Sequence, residues 1–305
     1  MLSLRNHTTA AAFFTFIIFI FSSSAFLAQS PLTGNWTSKA AKEGDKIQIS
    51  FARDRKNGRN TNSQSFAYSD LQGLDRSNTE NGSAQFSLIR EAGTIQCTGQ
   101  FNNGKGSGTF IFTPDQNYIN TMRSRGFDFL SSDSDEPDHI SQRLFTAAML
   151  NVTTALAADL SSANFGPLDV DDLFKAAIFK IDGAFMAEMK ATGFPDLSME
   201  DLVKAKIFKI DAAYIRDMRN AGLSVDKFEN LVKYSIFKVT PQYLTELRNA
   251  GLSDLSSEEV VKLRIFKIDA EYVRNARAAE PTISVEKIVE KKIGVPNMNI
   301  NIDTD

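Results

Sequence analysis

One segment of the sequence comes close to a phosphate-binding loop. Residues Gly99 to Lys105 (GQFNNGK) satisfy the first seven positions of that motif, but Gly106 stands where a Ser or Thr hydroxyl would coordinate magnesium. The flanking residues alternate between apolar and polar, as in strands, so no helix N-terminus follows to stabilise a phosphate. We therefore predict the tip of a β-hairpin here and no nucleotide site.

Candidate metal ligands and nucleophiles are few. The acidic segment Asp133 to Asp138 could supply oxygen ligands, but it lacks the central glycine and terminal glutamate of a calcium loop, which favours a solvated insertion. His139 beside it is one of only two histidines, and Cys97 is the single cysteine. The sequence predicts no metal site, no cofactor and no enzyme, although a carboxylate pair assembled only in three dimensions stays open.

Charged residues recur at fixed spacing in the second part of the chain. On one surface of a stacked array such residues would form ladders that dock a partner, or they would form cross-repeat ion pairs on a solvated face. One candidate partner-binding ladder consists of Lys180, Lys209, Lys238 and Lys267, and a second contains Lys190, Arg219, Arg248 and Arg277. Two further sets are Lys175, Lys204, Lys233 and Lys262, and Asp171, Glu200, Glu229 and Glu258.

These ladders belong to a sequence repeat. The tripeptide Phe-Lys-Ile begins at residue 179 and returns at residues 208, 237 (as Phe-Lys-Val) and 266, each time after 29 residues. A weaker copy begins near residue 150, and a still earlier one near residue 112 is lengthened by the acidic insertion. We interpret residues 112–295 as six repeat units, followed by a polar tail at 296–305.

Each unit reads as two short helices. In the unit that starts at Phe208, Asp211 is a good N-cap and Gly222 is expected to end the first helix in the left-handed conformation. The same slot holds Gly126, Asn164, Gly193 and Gly251. Ser256 and Glu259 have the spacing of a capping box for the second helix. Helices this short need neighbours to bury their apolar faces, which predicts an α-solenoid of helix-turn-helix repeats.

The first part of the chain has a different period. Residues 46–51 (KIQISF) alternate polar and apolar, and similar alternation recurs up to residue 112 between turn signals such as Asn57-Gly58, Asn81-Gly82 and Asn103-Gly104. We predict about six strands over residues 30–111, forming a small antiparallel β-sandwich or open barrel with Trp36 at its core. The expected fold class is therefore α+β, in two domains with separate cores that Phe112 could bridge.

The N-terminus resembles an export signal. Arg5 precedes a 12-residue apolar run, Ala10 to Phe21, and the small residues Ser23-Ser24-Ala25 follow. The run is shorter than the roughly 20 apolar residues that span a bilayer. We expect residues 1–28 to be a signal peptide and the mature chain to begin between Phe26 and Ser30. An uncleaved N-terminal anchor, which would bring the chain to a membrane, is the alternative, and a cytosolic chain is a weaker one.

The repeat also carries a family resemblance. Residues 211–223 (DAAYIRDMRNAGL) resemble the helical repeats of uncharacterised bacterial extracytoplasmic proteins, including the C-terminal repeats of membrane metallopeptidases of the antibiotic-sensor type. Residues 90–93 (REAG) and 104–112 (GKGSGTFIF) resemble the small β-domain before such repeats. The zinc motif of the peptidases is absent, so the resemblance implies an architecture and a compartment and no catalytic role.

Composition narrows the function classes. The 34 basic and 37 acidic residues give a net charge of −3, which does not fit a nucleic-acid binder, and 42% hydrophobic residues exclude a disordered chain. The expected function is a non-catalytic protein-interaction module in the cell envelope. The alternative is an envelope binder of a small ligand or polysaccharide through the β-domain, which aromatic side chains exposed on one face of the sheet would support.

Overall fold

The computed structural model describes residues 31–40, 44–55, 58–131, 138–194 and 196–294. The expected signal peptide, the polar tail at 296–305 and the acidic segment up to Pro137 lie outside the described residues. The described chain consists of an antiparallel sheet followed by helices, which confirms the α+β class.

All seven described strands belong to one curled sheet, a half-barrel. The strands are β1 (Leu32–Ala40), β2 (Lys46–Arg55), β3 (Gly58–Ala67), β4 (Leu71–Gln72), β5 (Gly82–Arg90), β6 (Gly93–Asn102) and β7 (Lys105–Pro114). Their order in the sheet is β3-β2-β1-β7-β6-β5-β4, so a three-stranded and a four-stranded meander are joined edge to edge where β1 pairs with β7. Of the two predicted architectures, the β-sandwich is therefore wrong, and the single curled sheet is nearer to the open barrel.

The segment resembling a phosphate-binding loop is a hairpin, as predicted. Strand β6 ends at Asn102 and β7 begins at Lys105, so Asn103 and Gly104 form the turn with φ values of 50° and 73°. Two consecutive residues with positive φ define the tight turn that matches the twist of antiparallel strands. The glycine that begins the motif lies within β6, and the next residue after the motif's lysine continues β7.

The concave face of the sheet is filled by the apolar rows that the alternation predicted. Trp36 is fully buried, lies 5.1 Å from Phe86 between ring centroids, and donates its indole N–H to the carbonyl of Thr98 at 3.1 Å. Gly99 and Gly108 are paired across β6 and β7, and a Cβ on either would lie about 2 Å from a backbone oxygen of the other strand. The sheet can curl this tightly only because both positions are glycine.

Twelve helices follow in the described residues, arranged as six pairs. They are α1 (Gln116–Ser124), α2 (His139–Leu150), α3 (Thr154–Ser162), α4 (Val170–Phe179), α5 (Gly183–Ala191), α6 (Met199–Phe208), α7 (Ala212–Asn220), α8 (Phe228–Ile236), α9 (Pro241–Asn249), α10 (Ser257–Ile265), α11 (Ala270–Ala279) and α12 (Val285–Ile293). Second helices of successive pairs pack together, from α2 on α4 through to α10 on α12. First helices do the same where α1 packs on α3, α3 on α5 and α9 on α11.

The predicted helix boundaries are confirmed at their caps. The Asp211 carboxylate accepts a hydrogen bond from the backbone N–H of Tyr214 at 2.7 Å, and Ser256 and Glu259 form a complete capping box. Every residue predicted to end a first helix in the left-handed conformation has positive φ. The values are 93° for Gly126, 49° for Asn164, 100° for Gly193, 81° for Gly222 and 95° for Gly251.

The prediction of two separate cores is wrong. Phe145 of α2 inserts into the concave face of the sheet, with ring centroids 5.7 Å from Phe51, 5.3 Å from Phe110 and 5.5 Å from Phe112. The buried residues of the sheet and helices form one continuous cluster. A half-barrel leaves one face open, and α2 covers it. The sheet also runs three residues past the predicted boundary at 111, because β7 ends at Pro114.

Candidate interaction surface

The lysines of the first predicted ladder have an unusual backbone. Lys180, Lys209, Lys238 and Lys267 each follow a second helix, and each adopts the left-handed conformation, with φ between 52° and 55°. All four side chains are exposed. Outside glycine, this conformation is disfavoured because Cβ crowds the carbonyl oxygen, at a cost of about 1–2 kcal/mol per residue.

At several other left-handed helix ends in the same chain, the residue is glycine. Gly193, Gly222 and Gly251 end first helices with positive φ, and Gly294 ends the last second helix with a φ of 72°. Gly294 directly follows Ile293, the last residue of α12, so it aligns with the phenylalanine that precedes each of these lysines. Left-handed lysines therefore follow four consecutive second helices, whereas α2 ends at Asn151 and α12 at Gly294, which points to a use for the lysine side chains.

A row of exposed isoleucines lies beside these lysines. Each isoleucine precedes a lysine by two residues at the end of a second helix. Of the seven large hydrophobic side chains exposed among the described residues, four occupy this single position. They are Ile178, Ile207, Ile236 and Ile265, with 55%, 53%, 48% and 49% of their surface exposed. Because α4, α6, α8 and α10 pack side by side, the two rows run along one surface, which we name the Ile–Lys ridge.

The second ladder acts within the helical array. Arg219 donates to the carbonyl of Thr192 at 2.9 Å, and Arg248 donates to the carbonyl of Ala221 at 2.8 Å, each in the preceding unit. Arg277 lies against Gly251. Arg219 and Arg248 thus satisfy carbonyl groups at the ends of first helices, where the helix dipole is negative. Of the residues expected to bind a partner, the lysines are therefore the better candidates.

The third set of charges forms cross-repeat ion pairs. Lys204 contacts Glu229 of the next unit at 2.6 Å and Asp201 of its own helix at 3.2 Å. Lys175 pairs in the same way with Glu200 and Asp172. The hydrogen bond with Lys175 holds the pKa of Glu200 below its usual value. Because these groups are largely exposed, each pair contributes only about 0–1 kcal/mol.

The described residues offer no candidate metal site. They contain no group of three or more His, Cys, Asp or Glu side chains that could hold a metal ion. Cys97 is buried, and burial raises the pKa of its thiol well above the usual range, which keeps it unreactive. Asp138, at the end of the acidic segment, pairs with Arg53 of β2 at 2.8 Å.

No single helix in the described ranges is long and apolar enough to cross a membrane, although the bent pair α2 and α3 passes by combined length and composition.

Comparison of the chain with family models, curated proteins and solved structures finds no match. The family resemblance noted in the sequence is therefore neither supported nor opposed by these comparisons.

Proposed function

We propose that the chain is a non-catalytic interaction module, an α-solenoid of helix-turn-helix repeats that docks a protein partner along the Ile–Lys ridge. Support for a solenoid comes from contacts that recur from unit to unit. They include the stacking of second helices, the arginine hydrogen bonds to the preceding unit and the lysine–glutamate pairs to the next. Each unit then contacts its neighbours through equivalent residues, as in a one-dimensional array.

The conformation of the four ridge lysines carries this proposal. Glycine would adopt this conformation without a Cβ clash, yet lysine stands there in four consecutive units. Left-handed residues other than glycine, asparagine and aspartate persist where a side chain has a function. A row of cations beside half-exposed isoleucines suits a partner that presents carboxylates next to apolar side chains.

We also propose that the module lies in the cell envelope. An export signal over residues 1–28 would place it in the cell envelope, and an uncleaved anchor would tether it to the membrane instead. The resemblance to repeats of extracytoplasmic proteins supports the same compartment. N-terminal sequencing of the exported protein should find a start between Phe26 and Ser30, whereas Met1 in the membrane fraction would favour the anchor.

The alternative of a polysaccharide binder lacks its supporting observation. The aromatic side chains on the described strands all lie on the buried face of the sheet. They are Trp36, Phe51, Phe66, Phe86, Phe101, Phe110 and Phe112. Sugar rings bind on exposed aromatic faces, so the described part of the sheet offers no such platform.

Replacing the four ridge lysines by glycine tests the proposal. The substitutions remove four charges while relieving backbone strain, so unfolding would not explain a loss of binding. Wild-type and variant chains are compared by crosslinking in the native envelope and mass spectrometry. The matched control replaces two other repeated lysines, Lys175 and Lys204, by glutamine; both pair with glutamates of the next unit. We expect the glycine variant to lose the partner and the control to keep it. Equal crosslinking in all three would contradict the proposal.

A further inference from the structure

One cleft along the helical array opens into a pocket of about 370 Å³, between α8 and α10. Its apolar lining includes Phe237, Val261 and Phe266, and the exposed Ile265 of the Ile–Lys ridge stands at its edge. Lys233, Glu258 and Lys262 also line it. The pocket is therefore continuous with the ridge on which the proposed function rests.

The pocket has a cause in the repeat sequence. At the first position of the second helix, the two preceding units place large buried side chains, Met199 and Phe228. The equivalent residue in α10 is Ser257, whose small side chain cannot fill the same volume. Tyr234 occupies only part of the space, with its hydroxyl hydrogen-bonded to Ser257 and to the carbonyl of Ser224. The small side chain at this position thus leaves space between α8 and α10.

The charge pattern also departs from the repeat at this cleft. Lys204 has Asp201 three residues before it, whereas Lys233 has the neutral Asn230 in that place. Lys233 forms no ion pair with any described residue, and this holds for Glu258 in the next unit as well. Lys262, in contrast, contacts Glu286 at 3.2 Å. The charged residues lining this cleft are therefore two cations and one anion, whereas the same repeat positions one unit earlier hold two of each.

We propose that this pocket is the anchor subsite of the ridge and takes an apolar side chain that adjoins a carboxylate, from an acidic segment of the partner protein. The apolar side chain would displace water from Phe237, Val261 and Phe266, and the carboxylate would pair with Lys233. Anchor side chains that fill a central pocket dominate the energy of many interfaces. This inference rests on the proposed function and supplies the chemistry of the partner at one point.

The chemical class of the group that enters the pocket can be tested without knowing the partner protein. The probe is N-acetyl-L-phenylalanine, which combines one apolar ring with one carboxylate, and its neutral and cationic counterparts are N-acetyl-L-phenylalaninamide and L-phenylalaninamide. Binding to the full chain is followed by chemical shifts of the α8 and α10 amides. We expect the carboxylate to bind about two- to fivefold more tightly than either amide, as an exposed ion pair allows. Equal binding of the three, or tighter binding of the cation, would overturn the assignment.

Two substitutions give this cleft the residues that the unit with α6 has at the same positions, Met199 and Asp201. Ser257→Met fills the pocket and should abolish binding of all three probes. Asn230→Asp gives Lys233 a carboxylate neighbour and should remove only the preference for the anionic probe. Lys204→Gln, at the equivalent position of the preceding unit, is the control and should change nothing. Because Asn230→Asp leaves the packing intact, it remains decisive even if Ser257→Met disturbs folding. Probe binding that neither variant alters would overturn the proposal.

The two proposals can fail separately. If the probes do not bind but the four-glycine variant still loses the partner, the pocket is not an anchor and the ridge remains the docking surface. If the probes bind as expected while partner capture is unaffected by the four glycines, the pocket is a ligand site apart from the ridge. That second result would overturn the assignment of the pocket to a protein partner.

Discussion

At the scale of single residues, backbone conformation distinguishes two uses of the left-handed helix end. Five of the six described first helices end at glycine or asparagine, the residues that enter this region most readily, and α11 ends at Glu280 in an extended conformation. Second helices end at lysine in four units, although nothing in the local geometry requires a side chain there. This contrast is the basis for the proposal that the ridge lysines serve in binding a partner.

Replacing a ridge lysine by glycine should stabilise the protein. We expect Lys209→Gly to raise the free energy of local unfolding by about 0.5–1 kcal/mol, because relief of the Cβ clash exceeds the entropy cost of glycine. Hydrogen exchange of the α6 and α7 amides measures this. The control Lys204→Gly, inside α6, should lower the same free energy by about 1 kcal/mol. Destabilisation of similar size in both variants would contradict the prediction.

The glycine at the end of α7 should tolerate asparagine and reject valine. Gly222 has a φ of 81°, and a Cβ there would lie 3.3 Å from the guanidinium of Arg248. Gly222→Val should cost about 1–2 kcal/mol or more in local stability. Gly222→Asn should cost much less, since Asn164 adopts this conformation in an equivalent slot. Hydrogen exchange should show the damage in adjoining units and not in the sheet, and equally mild effects would refute the assignment.

At the scale of elements, side-chain contacts tie short helices to the elements beside them, within a unit and between units. Tyr243 of α9 donates its hydroxyl to the carbonyl of Ile268, just beyond α10, at 2.7 Å. Arg264 of α10 lies over the Tyr243 ring, with its guanidinium carbon 4.3 Å from the ring centroid. Helices of nine or ten residues are marginal alone, so such contacts supply part of the stability that local sequence lacks.

The hydroxyl of Tyr243 should make stability depend on pH in the alkaline range. Burial raises the pKa of Tyr243 from its usual 10 to about 12, so the folded state holds this proton more tightly than the unfolded state. Its contribution is complete below pH 10 and is lost as the pH rises through 12. We expect the unfolding free energy of Tyr243→Phe to fall less steeply over that interval. Denaturation at several pH values tests this, and parallel curves would disprove it.

At the scale of the whole molecule, the sheet and the helices share one core. The half-barrel closes its open face with α2, and polar contacts reinforce the junction. Glu91, in the β5–β6 turn, accepts a hydrogen bond from the backbone N–H of Thr154 at 2.8 Å, at the start of α3. Arg53 of β2 pairs with Asp138 beside α2. The sheet is therefore part of the packing of the first helices as well as a unit of its own.

Removing Phe145 should destabilise both parts of the molecule. Its ring contacts three buried phenylalanines of the sheet, so Phe145→Ala should cost about 3–5 kcal/mol. Hydrogen exchange should accelerate in β1, β7 and α2 together. The control Phe228→Ala, a buried residue of α8, should destabilise helices around it and leave the sheet unchanged. Normal protection of the sheet in Phe145→Ala would restore the model of separate cores.

Local patterns alone determined a large part of this structure. The apolar alternation, the turn residues and the 29-residue period predicted the strands, the hairpin at Asn103-Gly104 and the helix caps, because each depends on residues close in sequence. The position of Trp36 in the core followed from the same alternation. An array whose units contact mainly their neighbours extends this local logic over many residues.

Only the tertiary structure decided how these elements combine. Phe145 reads as one more apolar helix residue, and its place against the sheet depends on strands more than 30 residues away in sequence. The left-handed lysines escaped prediction because sequence rules assign that conformation to glycine and asparagine. The arginine ladder was resolved as internal, and the lysine–glutamate ladder as ion pairs, only once neighbouring units could be seen side by side. Burial and pairing depend on what lies across the cleft, and that is set by packing between units.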